Sequence, residues 1–187
     1  MYGDRVYCQE IFFDQVLYLE GKVVWSKNSV VKSGGKWGRG DGLMFMGEHR
    51  HTVDDKGRLF IPARFRDGLG PRFVVTRGLD RCVFVYAPGV WERMQTRLEG
   101  LPFTQANARA FTRYFLSGAA EVEPDRQGRI LLPQPLREYA GLEKDSVVIG
   151  VGDRVEIWAE NQWTEYVANT AAQAEEVAEH LEGLNLE

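Results

Sequence analysis

Two arginines stand in the same local setting: Arg58 closes Asp54-Asp55-Lys56-Gly57-Arg58, and Arg129 closes Asp125-Arg126-Gln127-Gly128-Arg129. A guanidinium is planar and permanently charged, with its donors in a fixed fork. It therefore suits a carboxylate, a phosphate, or the O6 and N7 acceptors of guanine. Glycine after polar residues marks a tight hairpin turn, because Gly57 or Gly128 can take the left-handed conformation without steric cost. Asp54 and Asp125 can accept backbone hydrogen bonds across that turn. Two uses of the arginines stay open: presenting the fork outward to bases, or pairing with the neighbouring aspartate to brace the hairpin. Lys56, Arg64, Arg66 and Arg126 suit phosphates, which position a protein on a nucleic acid without reading its sequence.

These residues belong to an internal repeat. Asp54 to Pro62 returns as Asp125 to Pro133 at a constant offset of 71, and Arg66 and Arg137 keep that offset. After one added residue Val83, Val85, Tyr86 and Trp91 fall opposite Val155, Ile157, Trp158 and Trp163. In each copy an extended segment leads into the turn. Leu59-Phe60-Ile61 and Ile130-Leu131-Leu132 then read as short buried strands ended by Pro62 and Pro133, with short helices over Ala63–Leu69 and Leu136–Ala140. A strand pair follows, Phe73–Thr76 with Val83–Tyr86 in one copy and Val147–Gly150 with Val155–Trp158 in the other. A unit of about 40 residues is marginal as a core of its own, so the two copies are expected to pack as one pseudo-symmetric α+β domain. Gly89–Leu98 and Ala106–Leu116 have the apolar spacing of a helical hairpin around Pro102, and a last helix runs from Asn161 to about Leu181. The expected organisation is 1–43 as an extension, 44–90 as the first module, 91–118 as a helical connector, 119–163 as the second module and 164–187 as an acidic helix.

The 187 residues carry a net charge of −4, unfavourable for a nucleic-acid binder until its distribution is considered. Between Arg50 and Arg77 lie seven basic residues against three acids; from Val155 to Glu187 there are eight glutamates and no Lys or Arg. A basic working surface kept apart from an acidic face fits that asymmetry. Ile11 to Leu19 is broken by Asp14 and Gln15, so neither a signal peptide nor a membrane span is supported. Cys8 and Cys82 are too few and too scattered for a disulfide framework or a zinc site. His49 and His51, beside Asp54 and Asp55, form the one cluster with metal-ligand character, and no nucleophile sits beside a plausible base. No metal, cofactor or enzymatic activity is expected. Trp91, Trp158 and Trp163 recur at matching places beside apolar residues, which favours core packing over base stacking.

The two Asp-x-x-Gly-Arg repeats, the Gly118-Ala119-Ala120-Glu121 run before the second, and Trp158 and Trp163 after it resemble the MraZ family over Met44 to about Leu186. The resemblance implies two tandem AbrB/SpoVT-like modules in a swapped-hairpin fold. It also implies a cytoplasmic, nucleoid-associated transcription regulator of the division and cell wall gene cluster. Such a regulator binds short G-rich direct repeats of double-stranded DNA near its own promoter and assembles as a homo-oligomeric ring. Arg58 and Arg129 are then the base-reading residues. The alternative is a ring-forming structural or partner-binding protein with incidental DNA contact. The second copy is less basic, with Gln127 where the first has Lys56 and Gln134 where it has Ala63.

Residues 1–43 lie outside both repeats and outside the resemblance, and Met44-Phe45-Met46-Gly47 resembles the usual family start. The expectation is that natural translation begins at Met44 or Met46. Trp37-Gly38 must be encoded TGGGG followed by any base, which contains the TGGG core implied for the operator. The alternative is a genuine arm whose Lys22, Lys27, Lys32, Lys36 and Arg39 touch phosphates.

Overall fold

The structure, a computed structural model, describes residues 17–19, 22–24 and 44–181. Ahead of the repeats it holds one small unit, the antiparallel hairpin of β1 (Leu17–Leu19) and β2 (Lys22–Val24). The remainder of 1–43, including the Trp37-Gly38 stretch, lies outside the described residues, as do 182–187.

The repeat region folds as expected into an α+β arrangement, but its strands are exchanged between copies. The first copy supplies β3 (Phe45–Thr52), β4 (Arg58–Phe60), β5 (Phe73–Arg77) and β6 (Val83–Tyr86). The second supplies β7 (Ala120–Val122), β8 (Arg129–Leu131), β9 (Asp145–Gly152) and β10 (Arg154–Ala159). Six of these form one antiparallel sheet in the order β3-β9-β10-β6-β5-β7. Each copy's first strand thus pairs with the other copy's third: β3 with β9, and β7 with β5. The copies also join at the β6–β10 pair, with Val85 opposite Val155. The remaining two, β4 and β8, form a separate antiparallel ribbon with Leu59 opposite Ile130.

The central strands are apolar on consecutive residues because both sheet faces are covered. On one face Val75, Val83, Val85, Val148, Val155 and Ile157 pack beneath the ribbon and two short helices, α1 (Ala63–Leu69) and α4 (Gln134–Tyr139). Phe65, Leu69 and Leu136 are the helix residues buried there. On the other face Phe84, Tyr86, Val147, Ile149 and Trp158 meet Trp91, Leu98 and Phe115 from the helical hairpin, α2 (Pro88–Glu99) and α3 (Ala106–Leu116). Trp91 and Phe115 stack at 5.8 Å, so the repeated tryptophans serve packing here. The last helix, α5, spans Glu160–Leu181.

The ribbon departs from the expectation of fully buried strands. Leu59 and Ile130 are completely buried, whereas Phe60 is half-buried and Leu131 is 60% exposed. A two-stranded ribbon resting on one core covers a single face, so alternate residues must face outward.

Candidate nucleic-acid interface

The two turns form by the same local chemistry. Asp54 Oδ1 accepts hydrogen bonds from the backbone N–H groups of Lys56 (3.0 Å) and Arg58 (2.9 Å), and the Gly57 N–H donates to the Asp54 carbonyl (2.7 Å). Gly57 holds φ +77° and Gly128 holds φ +79°, the left-handed region that glycine occupies freely. Asp125 repeats the pattern with Gln127 (2.9 Å) and Arg129 (3.0 Å).

Each aspartate's second oxygen takes the arginine. Asp54 Oδ2 accepts from Arg58 Nε (2.8 Å) and lies 2.7 Å from Arg58 Nη2; Asp125 Oδ2 accepts from Arg129 Nε (2.9 Å) and Nη2 (2.7 Å). These contacts hold both carboxyls well below the usual range, at about 2, with the arginine hydrogen bond as the largest cause. The Asp54 partnership raises the Arg58 guanidinium in turn. Only the side edge of each fork, Nε with one face of Nη2, is engaged in this way. The far end, Nη1 with the outer side of Nη2, lies outside this pairing, although Arg129 Nη1 is also 3.8 Å from Asp54 Oδ2, and the Arg58 and Arg129 side chains are 30% and 27% exposed. Bracing and presentation are therefore compatible: the aspartate takes one edge and fixes the direction of the other.

The ribbon register brings the two turns together. Phe60 stands opposite Arg129 and Arg58 opposite Leu131, and Arg129 Nη1 comes within 3.8 Å of Asp54 Oδ2. Each turn is also covered by the other copy. A Cβ added at Gly128 would lie 2.6 Å from the Arg66 guanidinium carbon, and one at Gly57 would lie 2.6 Å from that of Arg137. Arg66 Nε donates to the Ile61 carbonyl (3.0 Å), and Arg137 Nε donates to the Leu132 carbonyl (3.2 Å). The Arg66 guanidinium also lies over the Phe60 ring at 5.6 Å. Arg66 thus has an interior task beside any phosphate contact, and Arg137, which shares its offset in the repeat, has the same one. Only the constant offset of 71 pointed to Arg137 in the sequence.

The other cations separate into two groups. Lys56, Arg64 and Arg126 are exposed around the turns. Arg50 pairs with Glu48 and Glu160, Arg72 with Glu121 and Glu123, and Arg77 donates to the Tyr114 carbonyl and Ser117 Oγ. The basic surface implied by the 50–77 segment thus narrows to its turn end. His49 and His51 lie against aromatic rings, Phe65 at 5.2 Å and Phe60 at 5.0 Å. Burial, then the charge of His49, lowers the His51 pKa. Among the described residues no helix is long and apolar enough to cross a membrane.

Comparison with known proteins assigns this arrangement. The family described as "MraZ protein, putative antitoxin-like" matches residues 44–114 and again 115–184, one match per copy. The chain is 60% identical to "Transcriptional regulator MraZ" of Pelotomaculum thermopropionicum over 143 residues, 76% of this chain and 99% of that protein. It is 60% identical to the protein of that name in Moorella thermoacetica over 138 residues, 74% of this chain and 96% of the relative. The Syntrophomonas wolfei protein of the same name is 51% identical over 143 residues, 76% of this chain and all of the relative. With both copies matched and whole relatives aligned, the chain belongs to the MraZ family.

Proposed function

We propose that this protein is a cytoplasmic, nucleoid-associated transcriptional regulator that binds double-stranded DNA in a sequence-specific way. In this reading Arg58 and Arg129 read guanines in short G-rich direct repeats near its own promoter, within the division and cell wall gene cluster. The observation that carries the reading is the edge-on anchoring of each arginine by its aspartate. An arginine so held presents the end of its fork, whose two parallel N–H groups match guanine O6 and N7. Side-chain ordering ahead of binding lowers the entropic cost of that contact. Lys56, Arg64 and Arg126 supply phosphate contacts at the same rim. The likeness to relatives named as transcriptional regulators supports the same reading. Assembly as a ring of copies would place many turns along one duplex, and a fixed spacing of weak contacts gives tight binding to repeated sites.

Arg58→Ala should weaken binding to the protein's own upstream region by roughly ten- to hundredfold, with far less change on random duplex of equal length. Lys56→Ala should weaken both and reduce the slope of log K against log salt by about one. Fluorescence anisotropy titrations at several salt concentrations measure both quantities. Equal losses for Arg58→Ala on the two DNAs would remove it from base reading.

A further inference from the structure

Both turn glycines are buried, although the residues just ahead of them, Lys56 and Gln127, are exposed. Their cover comes from the opposite copy. The Arg66 guanidinium occupies the space that a side chain at Gly128 would need: an added Cβ would meet its Cζ, Nε and Nη1 at 2.6, 2.8 and 3.0 Å. Arg137 fills the same space at Gly57, with Cζ, Nε and Nη2 at 2.6, 2.7 and 3.0 Å from such a Cβ. Each turn thus needs glycine twice over, for its positive φ and for this close approach.

The backbone closes the same circuit. Ile61 N–H donates to the Gly128 carbonyl (3.0 Å), and the Ile61 carbonyl accepts from Arg66 Nε (3.0 Å). Leu132 N–H donates to the Gly57 carbonyl (3.0 Å), and the Leu132 carbonyl accepts from Arg137 Nε (3.2 Å). Each arginine therefore braces the peptide that carries the other copy's fork, because Gly128 is bonded directly to Arg129 and Gly57 to Arg58. A planar guanidinium can lie flat on a glycine and donate from its edge at once, whereas a lysine ammonium has no flat face.

We infer that Arg66 and Arg137 are positioning residues that act across the duplication: Arg66, in the first copy, sets the aim of Arg129, and Arg137, in the second, sets the aim of Arg58. This role rests on the reading of Arg58 and Arg129 as base contacts. A bidentate contact tolerates little displacement, so a fork whose turn shifts by about an ångström loses its match to two fixed acceptors. A phosphate contact by Arg66 would behave differently, since charge alone would serve it and its loss would be felt equally on any sequence. The direct link between the turns is the weaker one, because Arg129 Nη1 stands 3.8 Å from Asp54 Oδ2, beyond hydrogen-bond reach.

The test is a pair of double-mutant cycles on the full-length protein, with affinity read by anisotropy for its own upstream region and for random duplex. Arg66→Leu should weaken specific binding roughly three- to tenfold and random binding by no more than about twofold. In an Arg129→Ala background the same change should cost no more than about twofold, and in an Arg58→Ala background it should keep its full effect. Arg137→Leu should show the reverse pattern, absorbed by Arg58→Ala and not by Arg129→Ala. Arg66→Lys keeps the charge and should not restore specific binding. Thermal melts establish that each variant is folded, and if Arg66→Leu is not, Arg66→Lys carries the same cycle. Equal effects in the two backgrounds, equal losses on the two DNAs, or full rescue by lysine would each overturn the inference while leaving base reading intact. If Arg58→Ala and Arg129→Ala each weaken both DNAs alike, base reading itself fails and this role fails with it.

Discussion

In the first copy the amides of Lys56 and Arg58 reach Asp54 Oδ1 at 3.0 and 2.9 Å; in the second those of Gln127 and Arg129 reach Asp125 Oδ1 at 2.9 and 3.0 Å. Around these matching turns the copies diverge. The first has an eight-residue strand, β3, whose His51 lies on Phe60, while at the same offsets the three-residue β7 has Val122 and the ribbon has Leu131, 60% exposed beside an open groove. Turn geometry that survives such different surroundings is set locally, by the aspartate, the glycine and the arginine. What the surroundings change is charge and cover, so the copies should differ in phosphate contacts and in stability more than in the way they hold an arginine.

The largest expected effect tests the shared part. Arg129→Ala should reduce affinity for the specific DNA by roughly ten- to hundredfold, the same loss expected of Arg58→Ala, because the fork is anchored the same way in both turns. A loss under threefold in the same anisotropy titration would confine base reading to the first copy.

Next come effects on stability, where the copies should separate. Phe60→Ala removes a half-buried ring that touches His51 and Arg66 and should cost about 2 kcal/mol, whereas Leu131→Ala at the matching place should stay within about 0.5 kcal/mol. Urea unfolding of both variants measures the difference; equal losses would mean that Leu131 is covered in solution. Gly57→Ala and Gly128→Ala restore the symmetry. Each puts a side chain at positive φ against the other copy's arginine, and each should cost about 1–2 kcal/mol from the backbone, with the displaced guanidinium adding to it. Costs that differ by more than about 1 kcal/mol would show that one interlock matters more.

The smallest effect is acid sensitivity, and it belongs to the first copy. The lowered pKa of His51 means that the unfolded chain takes up this proton more readily than the folded one. Stability should therefore fall as pH drops below the ordinary histidine value of about 6.5, through the lower folded value, and level off beneath it. His51→Val, which installs the residue found at the matching offset, should flatten that part of a plot of melting temperature against pH. An unchanged slope between pH 7 and 5 would assign the sensitivity elsewhere.

Much of this architecture was legible in the residues. Ala63–Leu69 and Ala106–Leu116 form the helices their apolar spacing and flanking prolines predicted, and Val83–Tyr86 forms the expected strand. The left-handed glycines and the aspartate caps followed from turn chemistry alone. Periodicity says which face of a strand is apolar but not which strand lies beside it, so the pattern alone did not show that β3 pairs with β9 and β7 with β5. Nor was the outward turn of Leu131, because an apolar run reads the same whether one or both faces are covered. Arg66 drew attention as a phosphate ligand by charge and position. Its place over Gly128 depends on a contact between residues 62 positions apart, which no local pattern encodes.

That reciprocal cover has a consequence for how the chain matures. Gly57 lies beneath the Arg137 guanidinium, and Val53 N donates to the Lys144 carbonyl (2.8 Å). During synthesis the first turn emerges from the ribosome about 80 residues before these partners do, several seconds at ordinary elongation rates. Its strand β3 has to wait longer still for β9, since Phe45 pairs with Gly152 and Thr52 with Asp145. The first module is thus born with its pairing edge bare and completes its fold only when its own duplicate arrives, so a stalled or truncated half would display an unpaired strand to whatever neighbour carries the other half.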